Sequence, residues 1–194
     1  LAEAITVLSS HLYPNEVKRE LEQSQPLQRF KRLCVELAGI TLEAAGVANS
    51  RDEGRSMATD ALDTGQAYRK YQDWFSAQRV PFDPHSVPNY FDRPLAEVRN
   101  HDGPGWVRRV DAGIVGQTVL DLGGGRKRKD DEIDLGVGAN VEVCVGQRVE
   151  PNDVLCRVYG RTTAEAEAGA RSIQSGIEIS RDPVPEPPLI LEVM

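Results

Sequence analysis

The sequence has few of the residues on which enzymes most often build reactive centres. Its 194 residues include only three cysteines, Cys34, Cys144 and Cys156. Their odd number and lack of metal-ligand spacing favour reduced thiols in the cytosol over a disulfide framework or a zinc site. Cys144 and Cys156 lie on apolar runs, so we expect small core residues there rather than nucleophiles.

Common catalytic and targeting patterns are also missing. There is no GxSxG, no HExxH, no signal peptide and no apolar run long enough to cross a membrane. The net charge of −7 disfavours a general nucleic-acid or membrane-surface binder. We therefore expect a cytoplasmic protein with neither nucleic-acid nor membrane partners. The three histidines stand alone and are expected at the surface: His11, His85 and His101.

What is present in the first 78 residues is helical periodicity. The predicted helices span 1–9, 27–45, 51–63 and 66–78, with a polar stretch at 15–24 that also favours helix. Pro26 suits the start of the longest helix, and Ser50 is a candidate N-cap for the next. The longest helix is predicted to bury one stripe: Phe30, Leu33, Cys34, Leu37, Ile40, Thr41 and Ala44. An aromatic stripe on the helix over 66–78 is predicted to pack in the core.

Four prolines between residues 79 and 94 mark a connector, and beyond it the hydrophobic period changes to two. Strands are predicted at 95–99, 106–110, 133–138 and 141–145, and a strand–turn–strand unit at 145–158, with a final strand at 177–179. Two helices interrupt them, one capped by Asp111 and one over 163–175 that begins with a capping box at Thr162 and Glu165. The tail from 181 to 194 is predicted to be extended. The fold class is therefore α+β.

The glycine run at 123–125, with the basic residues 126–129 after it, has two interpretations. Glycine-rich turns expose backbone N–H groups that bind phosphate, and the cations would assist. However, a phosphate loop follows a strand, whereas helical spacing precedes these glycines, and no Ser or Thr follows Lys127 or Lys129. Termination of the preceding helix is the preferred interpretation.

The carboxylates that follow could form a hard-cation cluster: Asp130, Asp131, Glu132 and Asp134. They lack the spacing of a calcium loop, and a solvated turn of opposite charges is the simpler account. The unit at 145–158 also resembles half of a biotinyl or lipoyl carrier domain. No lysine lies at a suitable hairpin tip, so a carrier function is not expected.

Several segments together resemble a known family. They are Gly105-Trp-Val before Gly113, the run Leu122-Gly-Gly-Gly-Arg126 with Glu132-Ile-Asp134 and Gly138, and Gly146 with Val149 and Leu155. The helical half adds Leu1-Ala-Glu3-Ala4, Leu33 with Leu37-Ala38, Ala61-Leu-Asp with Gly65, and Ala77-Gln78. The pattern closely resembles the C-terminal domain of pyrimidine nucleoside phosphorylases, the thymidine phosphorylase family.

The resemblance implies a helical part of a central α/β domain over 1–78, a connector at 79–94, a small hammerhead-like α/β domain over 95–180, and a tail at 181–194. It also implies a homodimer that converts thymidine and inorganic phosphate to thymine and 2-deoxyribose 1-phosphate. The family's catalytic motifs lie upstream of the point that corresponds to Leu1, so no catalytic or cofactor-binding residue is assigned. We expect the rest of the subunit as a partner, because the chain opens without Met inside a helical pattern.

One site residue carries over from the resemblance. In some family members the Glu at the position of Glu3 helps bind a monovalent cation, although a solvated Glu is an equally good interpretation. No cofactor is expected to be required, and phosphate is the co-substrate. The alternatives are a non-catalytic binding or structural module of the same fold, and a related nucleotide phosphorylase.

Overall fold

The computed structural model describes residues 2–9, 12, 23–79 and 95–191, without the side chains of Ala2 and Glu3. These residues form two compact units. One contains the described residues up to 79 together with 189–191, and the other contains 95–188. Within the described residues, no helix is both long and apolar enough to span a bilayer. The predictions for 15–22, for the connector at 80–94, and for His11 and His85 fall outside the described part of the chain.

Four α-helices lie in the described part of the first unit. Their bounds are Ala2–Leu8 (α1), Gln25–Ala44 (α2), Arg51–Asp63 (α3) and Gln66–Ala77 (α4). Pro26 lies in the first turn of α2, where its missing N–H costs nothing. The Ser50 hydroxyl accepts the N–H of Glu53 at 3.2 Å, so it caps α3 as predicted.

Helices α2 and α3 cross at a pair of glycines. A Cβ added to Gly54 would lie 2.6 Å from the carbonyl oxygen of Gly39 and 2.9 Å from its Cα. Glycine at position 54 therefore lets the two backbones approach this closely, whereas the nearest atom to a Cβ added at Gly39 is in the Arg55 side chain, at 2.8 Å. Around the crossing the contacts are ionic, since Arg55 donates to both carboxylate oxygens of Glu36 at 3.0 Å.

The predicted stripe of α2 is wrong in its burial. Leu37 exposes 49% of its surface, and Thr41 and Ala44 are exposed as well. The buried residue of α2 is instead Gly39, on the side that faces α3. In α4 the aromatic stripe is only partly in a core, because Tyr68 is buried but Trp74 is exposed.

The second unit contains two antiparallel three-stranded sheets and two helices. Its elements are Leu95–Arg99 (β1), Gly105–Val110 (β2), Ala112–Leu122 (α5), Gly138–Val141 (β3), Arg148–Val149 (β4), Val154–Tyr159 (β5), Thr163–Gln174 (α6) and Ile177–Ser180 (β6). One sheet has the order β1-β5-β3 and the other β4-β2-β6. Helix α6 contacts β1, β5 and α5.

The core of this unit draws on both sheets and both helices. Its fully buried side chains include Val98, Val107, Leu155, Val158 and Ile173. Alternation along β5 sends Cys156 and Val158 inward and Arg157 outward. Helices and antiparallel sheets around one core confirm the predicted α+β class.

Two of the predicted strands are wrong: 133–138 is a strand only at Gly138, where β3 begins, and 141–145 only at Val141, where β3 ends. Residues 133–137 form no strand, because Asp134 accepts the N–H of Gly136 at 2.9 Å and closes a turn. The strands β1 and β2 are consecutive but do not pair, since each belongs to a different sheet. The same is true of β4 and β5, although the predicted turn between them at 150–153 is present.

The two crossover turns are held together by Asn100, which is 1% exposed. Its side-chain amide donates to the carbonyls of Gly103 at 2.7 Å and Glu150 at 3.0 Å. Its backbone N–H donates to the carbonyl of Asp153 at 2.9 Å, and its backbone carbonyl accepts the N–H of Asn152 at 2.9 Å. A buried amide with all these partners costs little to bury and fixes the geometry of both turns.

Candidate functional site: the glycine-rich loop

The glycine run lies where helix α5 ends. Asp111 caps the start of α5 by accepting the N–H groups of Gly113 at 2.9 Å and Ile114 at 3.1 Å. At the other end Gly123 has φ of +97°, a left-handed conformation that reverses the chain and that favours glycine. The carbonyl of Gly123 then accepts the N–H of Asp134 at 2.9 Å. The glycines therefore terminate a helix, as predicted.

The backbone donors that a phosphate would use are occupied by a side chain of the loop. One carboxylate oxygen of Asp131 accepts the N–H of Lys127 at 3.0 Å and the N–H of Arg128 at 2.8 Å. The guanidinium of Arg126 donates to the backbone carbonyl of Asp131 at 3.2 Å. An internal carboxylate thus fills the anion position, and the phosphate-cradle interpretation is disfavoured.

Ion pairs fix the rest of the loop. The Lys127 ammonium lies 2.6 Å from Asp121, and its hydrogen bond, followed by one from Gln117, lowers the pKa of that carboxyl. Arg161, just before α6, donates to Asp134 at 3.0 Å. The loop is consequently tied to α5 at one end and to the start of α6 at the other.

Beside the loop is a shallow, open depression of about 280 Å³. Leu120, Lys127 and Glu132 lie along its rim, and charges of both signs meet there. A cleft that binds a nucleoside is usually deeper and mainly apolar, with a few convergent polar groups. This surface does not have that character.

The remaining candidates are dispersed. Among the described residues, no group of three or more His, Cys, Asp and Glu is arranged to hold a metal ion. The side chain of Glu3 lies outside the described part, so its cation role stays a prediction. Burial, followed by the charge of Glu142, raises the pKa of the Cys156 thiol to about 12, which makes a poor nucleophile at neutral pH. His101 is exposed.

Two charged residues that organise this unit were not apparent from the sequence. One is Arg161, whose partner Asp134 lies far away in sequence. The other is Arg157, which pairs across the β1-β5-β3 sheet with Glu97 and Glu142. The outward position of Arg157 in an alternating strand was the available signal, but only the strand register identifies its partners.

Comparison with known proteins identifies the second unit. Residues 106–180 match the family model described as pyrimidine nucleoside phosphorylase C-terminal domain. The chain is 29% identical over 154 residues to the thymidine phosphorylase of Mesorhizobium japonicum, a match that covers 78% of this chain and 35% of that protein. It is 31% identical over 150 residues to the Burkholderia orbicola (strain MC0-3) thymidine phosphorylase, covering 76% of the chain and 34% of the relative.

A third relative extends the match along the chain. The pyrimidine-nucleoside phosphorylase of Geobacillus stearothermophilus is 28% identical over 183 residues, which is 91% of this chain and 41% of that protein. The chain thus spans well under half the length of the curated relatives it matches. The family model covers the glycine loop, and the match to the Geobacillus stearothermophilus protein extends into the helical unit. The chain therefore belongs to the thymidine and pyrimidine-nucleoside phosphorylase family as a C-terminal portion of it.

Proposed function

We propose that this chain is the C-terminal part of a pyrimidine nucleoside phosphorylase subunit. The reaction is reversible phosphorolysis, in which thymidine and inorganic phosphate give thymine and 2-deoxyribose 1-phosphate. The observation that carries the proposal is the extent of the match to enzymes of that name, up to 91% of this chain. The full enzyme is a pentosyltransferase and, by the family resemblance, a cytoplasmic homodimer.

The catalytic residues belong to the portion of the relatives that this chain does not match. Displacement at an anomeric carbon needs donors around the phosphate and stabilisation of the departing base. In the described part of this chain, the anion position of the glycine-rich loop is filled by Asp131. The chain instead supplies a scaffold that supports the substrate domain.

Bound ions are also assigned partly to this chain and partly to the rest of the subunit. No cofactor is required in this proposal, and phosphate acts as co-substrate. Glu3 contributes one ligand to a monovalent cation whose other ligands come from elsewhere in the subunit. Removing that cation would be expected to weaken the association of the parts rather than to abolish a chemical step.

A reconstitution assay tests the proposal. The 194-residue chain is incubated with phosphate and thymidine or uridine, and base release is followed by chromatography. We expect no release from the chain alone. A chimera that joins it to the N-terminal portion of the Geobacillus stearothermophilus relative is expected to release base only when phosphate is present.

Matched controls make the result decisive. The relative is divided at the same place and rejoined to its own C-terminal portion, which shows that the junction is tolerated. Turnover by the isolated chain would overturn the placement of the catalytic residues. A folded chimera without base release, beside an active control, would favour the alternative of a non-catalytic module. Testing nucleotides as well separates the third possibility, a nucleotide phosphorylase.

A further inference from the structure

The apolar face of helix α2 points away from the helix that it packs against. At about 100° per residue, the seven residues from Phe30 to Ala44 named above lie on the side opposite Gly39. They are called the α2 stripe below. Gly39 is the residue that contacts α3, so α3 does not cover this stripe.

The distribution of charge on α2 is the reverse of that on an ordinary surface helix. The side of α2 that faces α3 forms two ion pairs with it. They are Glu36 with Arg55 and, further along the helix, Glu43 with Arg51 at 3.9 Å. The α2 stripe contains no charged residue. An amphipathic helix normally turns its apolar face inward and its charges to water. Here the charged face meets α3, and the uncharged face is only partly covered by the described part of the chain.

The stripe is long and only partly covered. From Phe30 to Ala44 it extends about 21 Å along the helix axis. Leu37, at its middle, is 49% exposed, whereas Phe30 and Ile40 are of intermediate burial. An uncharged helix face with a half-exposed leucine at its middle is a candidate interaction surface.

We propose that the α2 stripe is the surface on which the remaining portion of the phosphorylase subunit packs. This inference rests on the proposed function, since it takes the partner from there. The match to the Geobacillus stearothermophilus protein covers 91% of this chain, too much to leave out α2, but only 41% of that relative. More than half of such a subunit is therefore available as cover, and the cover must be apolar and uncharged to match the stripe.

Cys34 lies within the stripe and reports its coverage. It is of intermediate burial, whereas Cys144, in the other unit, provides an internal reference of the same class. Alkylation by iodoacetamide is timed at each thiol by peptide mass spectrometry, in the isolated chain and in the chimera described above. We expect Cys34 to react about tenfold more slowly in the chimera, which corresponds to about 1.4 kcal/mol of added protection. The rate at Cys144 should not change.

A pair of variants tests whether the stripe itself makes the contact. Leu37→Glu is expected to restore fast alkylation of Cys34 in the chimera while leaving the melting temperature of the isolated chain unchanged. Val47→Glu is the control, because Val47 is 58% exposed, apolar and outside the stripe. It should leave Cys34 protected in the chimera.

Several results would overturn the proposal. One is an equal rate of Cys34 alkylation in the isolated chain and in the chimera. This comparison needs no variant, so it overturns the proposal even if Leu37→Glu does not fold. Protection that appears in the isolated chain as its concentration rises would assign the stripe to a second copy instead. The alkylation rate is measured independently of enzyme activity. An inactive chimera in which Cys34 is protected counts against the proposed function alone. An active chimera in which Cys34 is unprotected counts against the docking surface alone.

Discussion

Replacing Gly54 by alanine should separate helices α2 and α3. The new Cβ would lie 2.6 Å from the Gly39 carbonyl oxygen and 2.9 Å from the Gly39 Cα, against a comfortable separation of about 3.5 Å. Both opposing atoms are backbone, so no side-chain rotation relieves the overlap. The helices must move apart by roughly 0.6–0.9 Å along their contact.

The two opposing contributions can be estimated. Overpacking costs about 1–3 kcal/mol, and the rigid backbone opposite Gly54 places this cost near the upper end. Alanine inside a helix gains about 1 kcal/mol over glycine. The helical unit should therefore lose about 2 kcal/mol of stability, which corresponds to roughly 30-fold faster amide exchange in peptides of α2 and α3.

Hydrogen exchange with mass spectrometry measures this locally, which matters because two compact units need not unfold together. Peptides from β1 and β5 should exchange as in the unmodified chain. Gly116→Ala is the matched control: it lies within α5, nothing is within 4 Å of the added Cβ, and it should stabilise by up to about 1 kcal/mol. Gly39→Ala should fall between them, because its closest neighbour is the flexible side chain of Arg55 at 2.8 Å.

A close backbone contact at Gly54 is ruled out if the amides of α2 and α3 exchange as slowly in Gly54→Ala as in the unmodified chain. It is also ruled out if Gly54→Ala and Gly116→Ala shift exchange in the same direction. Either outcome would mean that the backbones do not meet at these two glycines.

Three further predictions concern the second unit. Thr162→Ala removes the acceptor of the Glu165 N–H and should cost about 1 kcal/mol in urea unfolding of this unit. Asp131→Asn weakens the acceptor of two loop N–H groups, so those two amides should exchange faster, by about fivefold for a loss near 1 kcal/mol. The pKa of Cys156 is raised from 9.0 to about 12, so the stability it contributes is present below pH 9 and is lost as the pH rises to about 12. Cys156→Ala should remove that part of the pH dependence of unfolding.

Neighbouring substitutions serve as controls for these three. Thr163→Ala, one position into the helix, should change stability by less than the cap does, and an equal cost would contradict the capping role. Asp130→Asn should leave the loop amides unchanged. Cys144→Ala should retain the full alkaline loss of stability, and the same slope in both cysteine variants would show that other groups cause it.

Local chemistry made much of the second unit predictable. Asp111 and Thr162 were identified as caps from residue type and position, and both accept the expected backbone N–H groups. Gly123 was placed at a helix end and adopts the left-handed conformation there. Each of these features depends on atoms within a few residues, which is why a single sequence suffices.

Features that depend on distant residues were not predictable. The apolar run 133–138 has the composition of a strand, but Asp134 turns the chain there and pairs with Arg161. The turn at 101–105 has hairpin chemistry, yet it leads from one sheet to the other because Asn100 is bound to the turn at 150–153. The same limit applies to the site residues. The carboxylates of the loop could be identified from the sequence, but the position of Asp131 at the anion site could not.

The α2 stripe illustrates a different limit. Its periodicity was correctly identified, and the conclusion that it is buried within this chain was wrong. Hydrophobic periodicity shows that a face requires cover, but it does not say which polypeptide supplies the cover. This chain spans well under half the length of its relatives, so a face that requires cover need not be covered by the chain itself.

The alternation of consecutive strands between two sheets has a consequence for the order of folding. Strand β1 pairs only with β5, and β2 pairs with β4 and β6, so neither sheet is complete until most of the unit has been synthesised. Such long sequence separations between partner strands slow folding, because the entropy cost of closing large loops comes before the strand contacts can stabilise the structure. On the ribosome, β2 must remain unpaired until β4 emerges at residues 148–149, and β1 until β5 emerges at 154–159; the second sheet is complete only when β6 follows at 177–180. We therefore expect the second unit to acquire its structure in one cooperative step, with no stable intermediate that contains a single sheet.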